Sequence, residues 1–112
     1  MTAVFVELPA FARYRSGYLT DEQFSGLQAL LMANPGAGDV IPDSGGLRKL
    51  RLADLRRNKG KRGGLRIIYF WWPTGSQFWL FTIYGKGEVT DLTAVQRRTL
   101  KGLLKAELER LA

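Results

Sequence analysis

Three cationic residues stand just before, and inside, the most apolar stretch of the chain. In GKRGGLRIIYFWW, Lys61 and Arg62 precede a glycine pair, and Arg66 is the second residue of the apolar run that follows. A charged side chain is costly to bury without a partner. A rigidly held guanidinium group can bind a phosphate or stabilise charge that develops on it. Arg66 is therefore a candidate phosphate ligand, and the alternative is a structural ion pair with Glu7 or Asp91.

The positive charge of the chain is concentrated around these residues. The formal net charge is +7, and between residues 48 and 66 nine residues are Lys or Arg while only Asp54 is acidic. Such a cluster indicates a polyanionic partner, and nucleic acid is the first candidate. The alternatives are a solvated flexible loop and charges that protect a sheet edge. The candidate RNA-binding residues in this segment are Arg48, Lys49, Arg51 and Lys61.

Four further candidates lie in or after the two aromatic strands. Lys86 lies between two glycines, and Glu88 follows closely. Tyr69 and Tyr84 carry hydroxyl groups that could bind a phosphate or a ribose. Each has an ordinary structural explanation, which is a surface turn for Lys86 and Glu88 and a packed ring with a hydrated hydroxyl for the tyrosines.

The composition excludes several kinds of site. The chain has no Cys and no His, so it can form no disulfide, zinc–thiolate site, thiol nucleophile or two-histidine ribonuclease centre. Its carboxylates do not cluster along the sequence as a two-metal nuclease would need. We therefore expect no metal and no other cofactor. The N-terminus lacks the order of a signal peptide and no apolar run could span a membrane, so we expect a cytoplasmic protein without membrane contact.

The elements that position these residues follow from periodicity and turn residues. Two capping boxes, TDEQ and TAVQ, precede segments with helical spacing of Leu and Phe, and turn residues separate the apolar strands. We expect one domain, residues 1–112, of the α+β class, with a small, mainly antiparallel sheet of about four strands packed on N-terminal helices and a C-terminal helix. The predicted elements are a strand at 3–8, helices at 11–18 and 21–33, strands at 47–52, 65–72 and 77–84, and a helix at 94–111.

Three segments together resemble the HigB-like branch of the RelE/ParE toxin superfamily, namely GGLRKLRL, GKRGGLRIIYFWW and FWLFTIYGKGEVTDLT. The opening FVELPAF and the final helix are also similar, so the resemblance covers nearly the whole chain. It implies a RelE-like fold and an mRNA interferase, which is an endoribonuclease that cleaves messenger RNA in the ribosomal A site and inhibits translation. It also implies a cognate antitoxin, usually of the helix-turn-helix type, through which the complex binds operator DNA.

The resemblance assigns roles to five of the cations. Arg66 falls on the arginine that contacts the scissile phosphate, and Lys86 falls on the basic residue at the end of the last strand. Lys49 and Arg51 fall on the basic strand positions that hold RNA. Arg62 matches the K-R-G-G run of this branch and would assist Arg66.

The chain departs from the family pattern at two positions. Gly87 lies where some relatives have a further arginine, and Thr93 lies near a functional tyrosine of RelE itself. The identity of the proton-transfer groups therefore stays open. The candidates are Tyr69, Tyr84, Lys86 and Glu88.

The expected reaction needs no metal ion. The ribose 2′-hydroxyl attacks the adjacent phosphate, which leaves a cyclic phosphate and a free 5′-hydroxyl, while fixed cations stabilise the added negative charge. Two other functions stay open at this point. One is a DNA gyrase inhibitor resembling ParE, and the other is a nucleic-acid-binding module without catalysis.

Overall fold

The computed structural model describes residues 2–62, 64–87 and 91–111, in which helices pack on both faces of one mixed sheet. The elements, in chain order, are β1 (Val4–Glu7), α1 (Pro9–Tyr18), α2 (Asp21–Ala33), β2 (Asp39–Val40), β3 (Arg48–Leu52), β4 (Leu65–Trp72), a 3₁₀ turn (Pro73–Gly75), β5 (Gln77–Gly85) and α3 (Ala94–Leu111).

The five strands lie in the order β1-β5-β4-β3-β2. The pairs β2/β3, β3/β4 and β4/β5 are antiparallel, whereas β1 runs parallel to β5 at one edge. The predicted α+β class is therefore confirmed. The prediction of about four strands missed β2, because this strand has only two residues and lies inside a segment rich in turn residues.

The helices begin where the local chemistry satisfies their free N–H groups. The Thr20 hydroxyl accepts a hydrogen bond from the Gln23 backbone N–H, and the Gln23 side chain accepts one from the Thr20 N–H. Thr93 and Gln96 make the same reciprocal pair before α3. Pro9 both ends β1 and starts α1, since a proline loses no helical hydrogen bond in the first turn. This is why α1 begins two residues before the predicted helix.

Alternation along β4 divides the apolar side chains between two cores. Ile67 packs with Phe11 of α1 on one face of the sheet, and Ile68 packs with Leu104 of α3 on the other face. We call the second face the α3 face. Most of the aromatic rings on β4 and β5 belong to these two cores. In the part of the chain that the structure describes, no helix has the length and apolarity needed to cross a bilayer.

One irregularity in the sheet decides which side chains of β5 reach the α3 face. The register between β4 and β5 shifts between Ile68 and Tyr69 and leaves Phe81 without a partner in β4. An extra residue of this kind inverts the facing of the rest of the strand. Tyr84 therefore lies opposite Arg66, on the α3 face.

Candidate nucleic-acid interface

Arg51, Arg66 and Tyr84 form one row across β3, β4 and β5. Arg66 is the register partner of Arg51 on one side and of Tyr84 on the other, so the three side chains leave the sheet on the same face. Lys49 is two residues from Arg51 on β3 and shares that face. Lys86 follows β5 directly, and its backbone N–H donates to the carbonyl of Gly64 at 2.8 Å. The sheet thus brings four predicted cations to one end of the α3 face.

The guanidinium group of Arg66 is buried and tied to the backbone of the preceding loop. Only 3% of the residue is exposed. Nη1 donates to the carbonyl oxygens of Lys61 at 2.8 Å and Leu65 at 3.0 Å, and Nη2 donates to that of Arg62 at 2.8 Å. These bonds hold the loop against the start of β4. The side chains of Lys61 and Arg62 stay exposed.

The alternative explanation of Arg66, an ion pair with Glu7 or Asp91, is wrong. Glu7 pairs with Arg15 at 2.9 Å, and Asp91 lies 3.8 Å from Lys49. Among the described residues, Arg66 has no carboxylate oxygen within 4.0 Å. Within the described part of the chain, three carbonyl dipoles, rather than a counter-ion, compensate the buried charge.

The pairing of two arginines makes this row strongly positive. Burial, followed by the charge of Arg51, lowers the pKa of the Arg66 guanidinium, and Tyr84 partly opposes that shift. Arginine nevertheless stays charged at neutral pH. Like charges directly opposite each other destabilise a sheet. A bound anion would relieve that repulsion.

A cleft of about 200 Å³ opens beside the row. Lys49 and Arg51 line it from β3, Asp39 lines it from β2, and Asp91 and Arg97 line it from the start of α3. Sequence analysis considered Asp91 only as a partner for Arg66 and did not identify Arg97. A signal for Asp91 was available, because an acid two residues before a capping box lies close to the helix start.

Asp91 holds Lys49 at the edge of the cleft. Its carboxylate accepts a hydrogen bond from the backbone N–H of Leu92 at 2.8 Å. That bond, followed by the charge of Lys49, lowers the pKa of Asp91. Asp91 is therefore ionised at neutral pH and is a weak base, so its chemistry suits the orientation of Lys49 better than proton abstraction.

Tyr84 is a neutral hydrogen-bond donor next to these cations. Burial, followed by the charge of Asp91, raises the pKa of its phenol, and Arg66 only partly offsets this. The hydroxyl therefore keeps its proton at physiological pH. It can donate to a phosphate oxygen without becoming an anion.

The catalytic candidate Tyr69 and the RNA-binding candidate Arg48 do not lie near the row of cations. Both lie on the opposite face of the sheet, where they are register partners. Tyr69 is 0% exposed, and its hydroxyl donates to the Pro35 carbonyl at 2.8 Å and accepts from the Gly38 N–H at 2.9 Å. Arg48 donates to the Gly38 carbonyl at 2.8 Å. The two side chains hold the loop before β2.

The remaining cations of the basic segment divide into tied and exposed groups. Arg57 pairs with the buried Asp54 at 3.2 Å, and Arg56 donates to the Ser16 carbonyl at 2.8 Å. Asp54 and Lys59 also exchange backbone hydrogen bonds. The segment is thus a short, solvent-exposed hairpin that one β-bridge closes and that Arg56 attaches to α1.

Gly64 is the point where this hairpin meets the sheet. A Cβ atom there would overlap the carbonyl oxygen of Leu52 and lie 2.6 Å from that of Gly60. Only glycine fits such a close approach of backbone segments. Gly63, the other member of the pair, lies outside the described residues. The candidate Glu88 also lies outside them.

A scan against models of known protein families finds no match for this chain. Within residues 2–62, 64–87 and 91–111, no group of three His, Cys, Asp or Glu side chains could hold a metal ion. The described groups at the row and in the adjacent cleft are therefore fixed cations, the neutral phenol of Tyr84 and the carboxylates of Asp39 and Asp91. Such an arrangement suits a phosphodiester.

Proposed function

We propose that this chain is the toxin of a type II toxin–antitoxin system, an mRNA endonuclease that acts on translating ribosomes in the cytoplasm. The observation that carries the RNA-binding part is the pairing of Arg51 with Arg66. Neither arginine has a carboxylate within 4.0 Å in the described part of the chain. A phosphate would supply a negative charge that no described carboxylate supplies to this pair. The reaction is supported by the resemblance of the three quoted segments to HigB-like toxins.

In the proposed reaction, the bond from the ribose 2′-oxygen to phosphorus forms and the bond from phosphorus to the 5′-oxygen breaks. The 2′-hydroxyl loses a proton and the leaving 5′-oxygen gains one. Lys49 and Arg51 bind the RNA backbone, and Tyr84 donates a hydrogen bond to the phosphate. Lys86 either stabilises the phosphate or protonates the leaving oxygen.

The proposed role of Arg66 combines charge and positioning. Three of its five N–H groups are already donated to carbonyls, including those of Lys61 and Arg62, so it fixes the backbone of the loop that carries these two exposed cations. Its positive charge in a poorly solvated position stabilises the charge that develops on the phosphate. Arg62 is exposed and free to contact the phosphate directly.

The proposed partners are a cognate helix-turn-helix antitoxin, the ribosomal A site with its messenger, and operator DNA through the antitoxin. The resemblance is the main support for all three. Tyr14, Val95 and Leu103 are exposed along a groove between α1, β5 and α3. Exposed apolar surface of this kind is typical of protein–protein contacts and supports a protein partner.

A second candidate, a nucleic-acid-binding module without catalysis, is favoured by two observations. Tyr84 has a raised pKa and so gives up its proton reluctantly. Asp91 has a lowered pKa and so accepts one reluctantly. Such a module would bind RNA in a salt-sensitive way and leave it intact.

One experiment separates these functions. The chain is expressed alone in a bacterium and the 5′ ends of the messenger RNAs are mapped, beside the variant Lys49→Gln/Arg51→Gln and the control Arg13→Gln/Arg110→Gln. We expect cuts in phase with codons, lost in the variant and kept in the control. Intact messengers would refute the nuclease. Growth arrest with intact messengers and DNA damage would indicate a gyrase inhibitor instead.

A further inference from the structure

The part of α3 from Arg97 to Lys105 carries a second positive surface next to the cleft. It lines an open groove of about 580 Å³ beside Pro42 and Asp43. Pro42 and Arg97 line both this groove and the cleft that contains Lys49, so the two surfaces are continuous. We call this surface the α3 basic face, and its members are Arg97, Arg98, Lys101 and Lys105.

The charge in the first turn of α3 is opposite to the one that stabilises a helix N-terminus. Acids are favoured in the first turn and cations in the last turn, because of the helix dipole. α2 follows this rule, with Asp21 and Glu22 in its first turn. α3 has no acid in its first turn, where Arg97 lies, and its last turn carries Arg110 beside Glu109. The helix therefore carries this charge pattern at a cost in stability.

The spacing within the α3 basic face adds to that cost. Arg97, Lys101 and Lys105 follow one another at intervals of four residues, where like charges repel. Lys101 pairs with Asp43 at 3.0 Å and Lys105 with Glu109 at 4.0 Å, but exposed pairs of this kind contribute little. Within the described ranges, Arg97 has no carboxylate within 4.0 Å. The row of like charges on α3 is therefore explained better by binding of an anionic ligand than by a contribution to the stability of the fold.

The lining of the groove favours phosphate over protein as that ligand. Besides the cations, the groove is lined by Pro42, Ala94 and Gly102 and by one acid, Asp43, which pairs with Lys101. Protein interfaces are typically centred on buried aromatic or large apolar anchors, and this groove offers none among its described lining residues. Regularly spaced cations on an open surface suit a repeating phosphodiester instead.

We propose that the α3 basic face binds the phosphodiester backbone of RNA that extends beyond the cleft, an inference that rests on the proposed RNA-binding function. From Arg97 to Lys105 the helix rises about 12 Å, which accommodates roughly three stacked nucleotides. The backbone could belong to the single-stranded messenger or to a helix of structured RNA. Both present the same phosphate chemistry.

The test compares the variant Arg98→Gln/Lys105→Gln, whose two residues line the groove and not the cleft, with the control Arg13→Gln/Arg110→Gln, which removes two arginines from α1 and from the far end of α3. Binding is measured by fluorescence anisotropy over a range of salt concentrations. The probes are single-stranded RNAs of about four and about twelve nucleotides and an RNA hairpin. A urea titration confirms that each variant is folded.

We expect the variant to bind the short RNA like wild type and to bind the longer RNA or the hairpin roughly 10–30-fold more weakly at 0.1 M salt, since two phosphate contacts change the salt slope by about 1.4. The control keeps wild-type affinity. A loss confined to the long single strand assigns the face to the messenger, and a loss confined to the hairpin assigns it to structured RNA; both support the inference. Lys101→Gln/Lys105→Gln gives a smaller loss with the same length dependence.

Unchanged affinity and salt slope on both larger probes would overturn the inference. If the variant kept RNA binding but lost binding to polyglutamate, the face would belong to an acidic protein, which overturns it as well. A chain that leaves messengers intact but binds long RNA through α3 refutes the nuclease alone. A nuclease whose RNA binding does not depend on α3 refutes the inference alone.

Discussion

The substitution Arg51→Gln is expected to stabilise the protein while it weakens RNA binding. Arg51 is exposed and lies directly opposite the buried Arg66 on the neighbouring strand. Like charges in such a pair cost about 0.2–1 kcal/mol, and solvent screening places this pair in the lower half of that range. Removal of the charge should therefore raise the free energy of unfolding by about 0.3–0.5 kcal/mol.

Urea titration in low salt measures this gain. With a slope of about 1–3 kcal/mol per molar urea, the unfolding midpoint should rise by roughly 0.1–0.5 M. The gain should shrink towards 1 M salt, where the Debye length is about 3 Å. Loss of one phosphate contact should weaken binding to single-stranded RNA about fivefold at 0.1 M salt and reduce the salt slope by about 0.7.

Arg48→Gln is the matched control, because it removes the same charge from the same strand. Arg48 points to the other face and donates to the Gly38 carbonyl at 2.8 Å. Its loss should lower the free energy of unfolding by about 1–2 kcal/mol and leave the salt slope of RNA binding unchanged. If Arg51→Gln destabilised the protein, or bound RNA with the wild-type slope, the row of Arg51 and Arg66 would not be a phosphate site.

Three further predictions concern the supports of the site. In a urea titration, Gly64→Ala should lower the free energy of unfolding by roughly 2–4 kcal/mol, because the new Cβ meets backbone atoms and strains the hydrogen bond from the Lys86 N–H. Gly60→Ala is the control, since a Cβ there has nothing within 4 Å, and it should leave the free energy of unfolding unchanged. Tyr69→Phe should cost about 1–3 kcal/mol in that titration and leave RNA cleavage by the folded protein unchanged; loss of cleavage would return Tyr69 to the catalytic candidates. Burial raises the pKa of Tyr84, so above about pH 10 the unfolded chain loses a proton that the folded chain keeps, and stability falls as pH rises. Tyr84→Phe should reduce this loss of stability between about pH 9 and 11. An equal loss of stability in wild type and variant would contradict the raised pKa.

The sequence by itself determined the elements that depend on neighbouring residues. Capping boxes and apolar spacing predicted the helix at 21–33 and the strand at 65–72 with the bounds that the structure has. The alternation of side chains along the strand at 65–72 also predicts on which face of the sheet Tyr69 lies. Tyr69 is an odd number of residues from Arg66, so a regular strand must place the two on opposite faces. That step needs no tertiary structure, yet it removes Tyr69 from the cluster.

Only the tertiary structure decided which groups meet. The irregularity at Phe81 turns Tyr84 towards Arg66, and no local pattern of residue types identifies the position of such a bulge. The loop carbonyls that compensate Arg66 are set by how the backbone closes, and backbone groups are the same in every residue. Asp91 and Arg97 reach Lys49 from about forty positions away in the chain, because α3 packs over the sheet. Residue types determine which charges the chain carries. Which of these charges meet depends on how elements far apart in the sequence pack together, and local sequence patterns do not specify that packing.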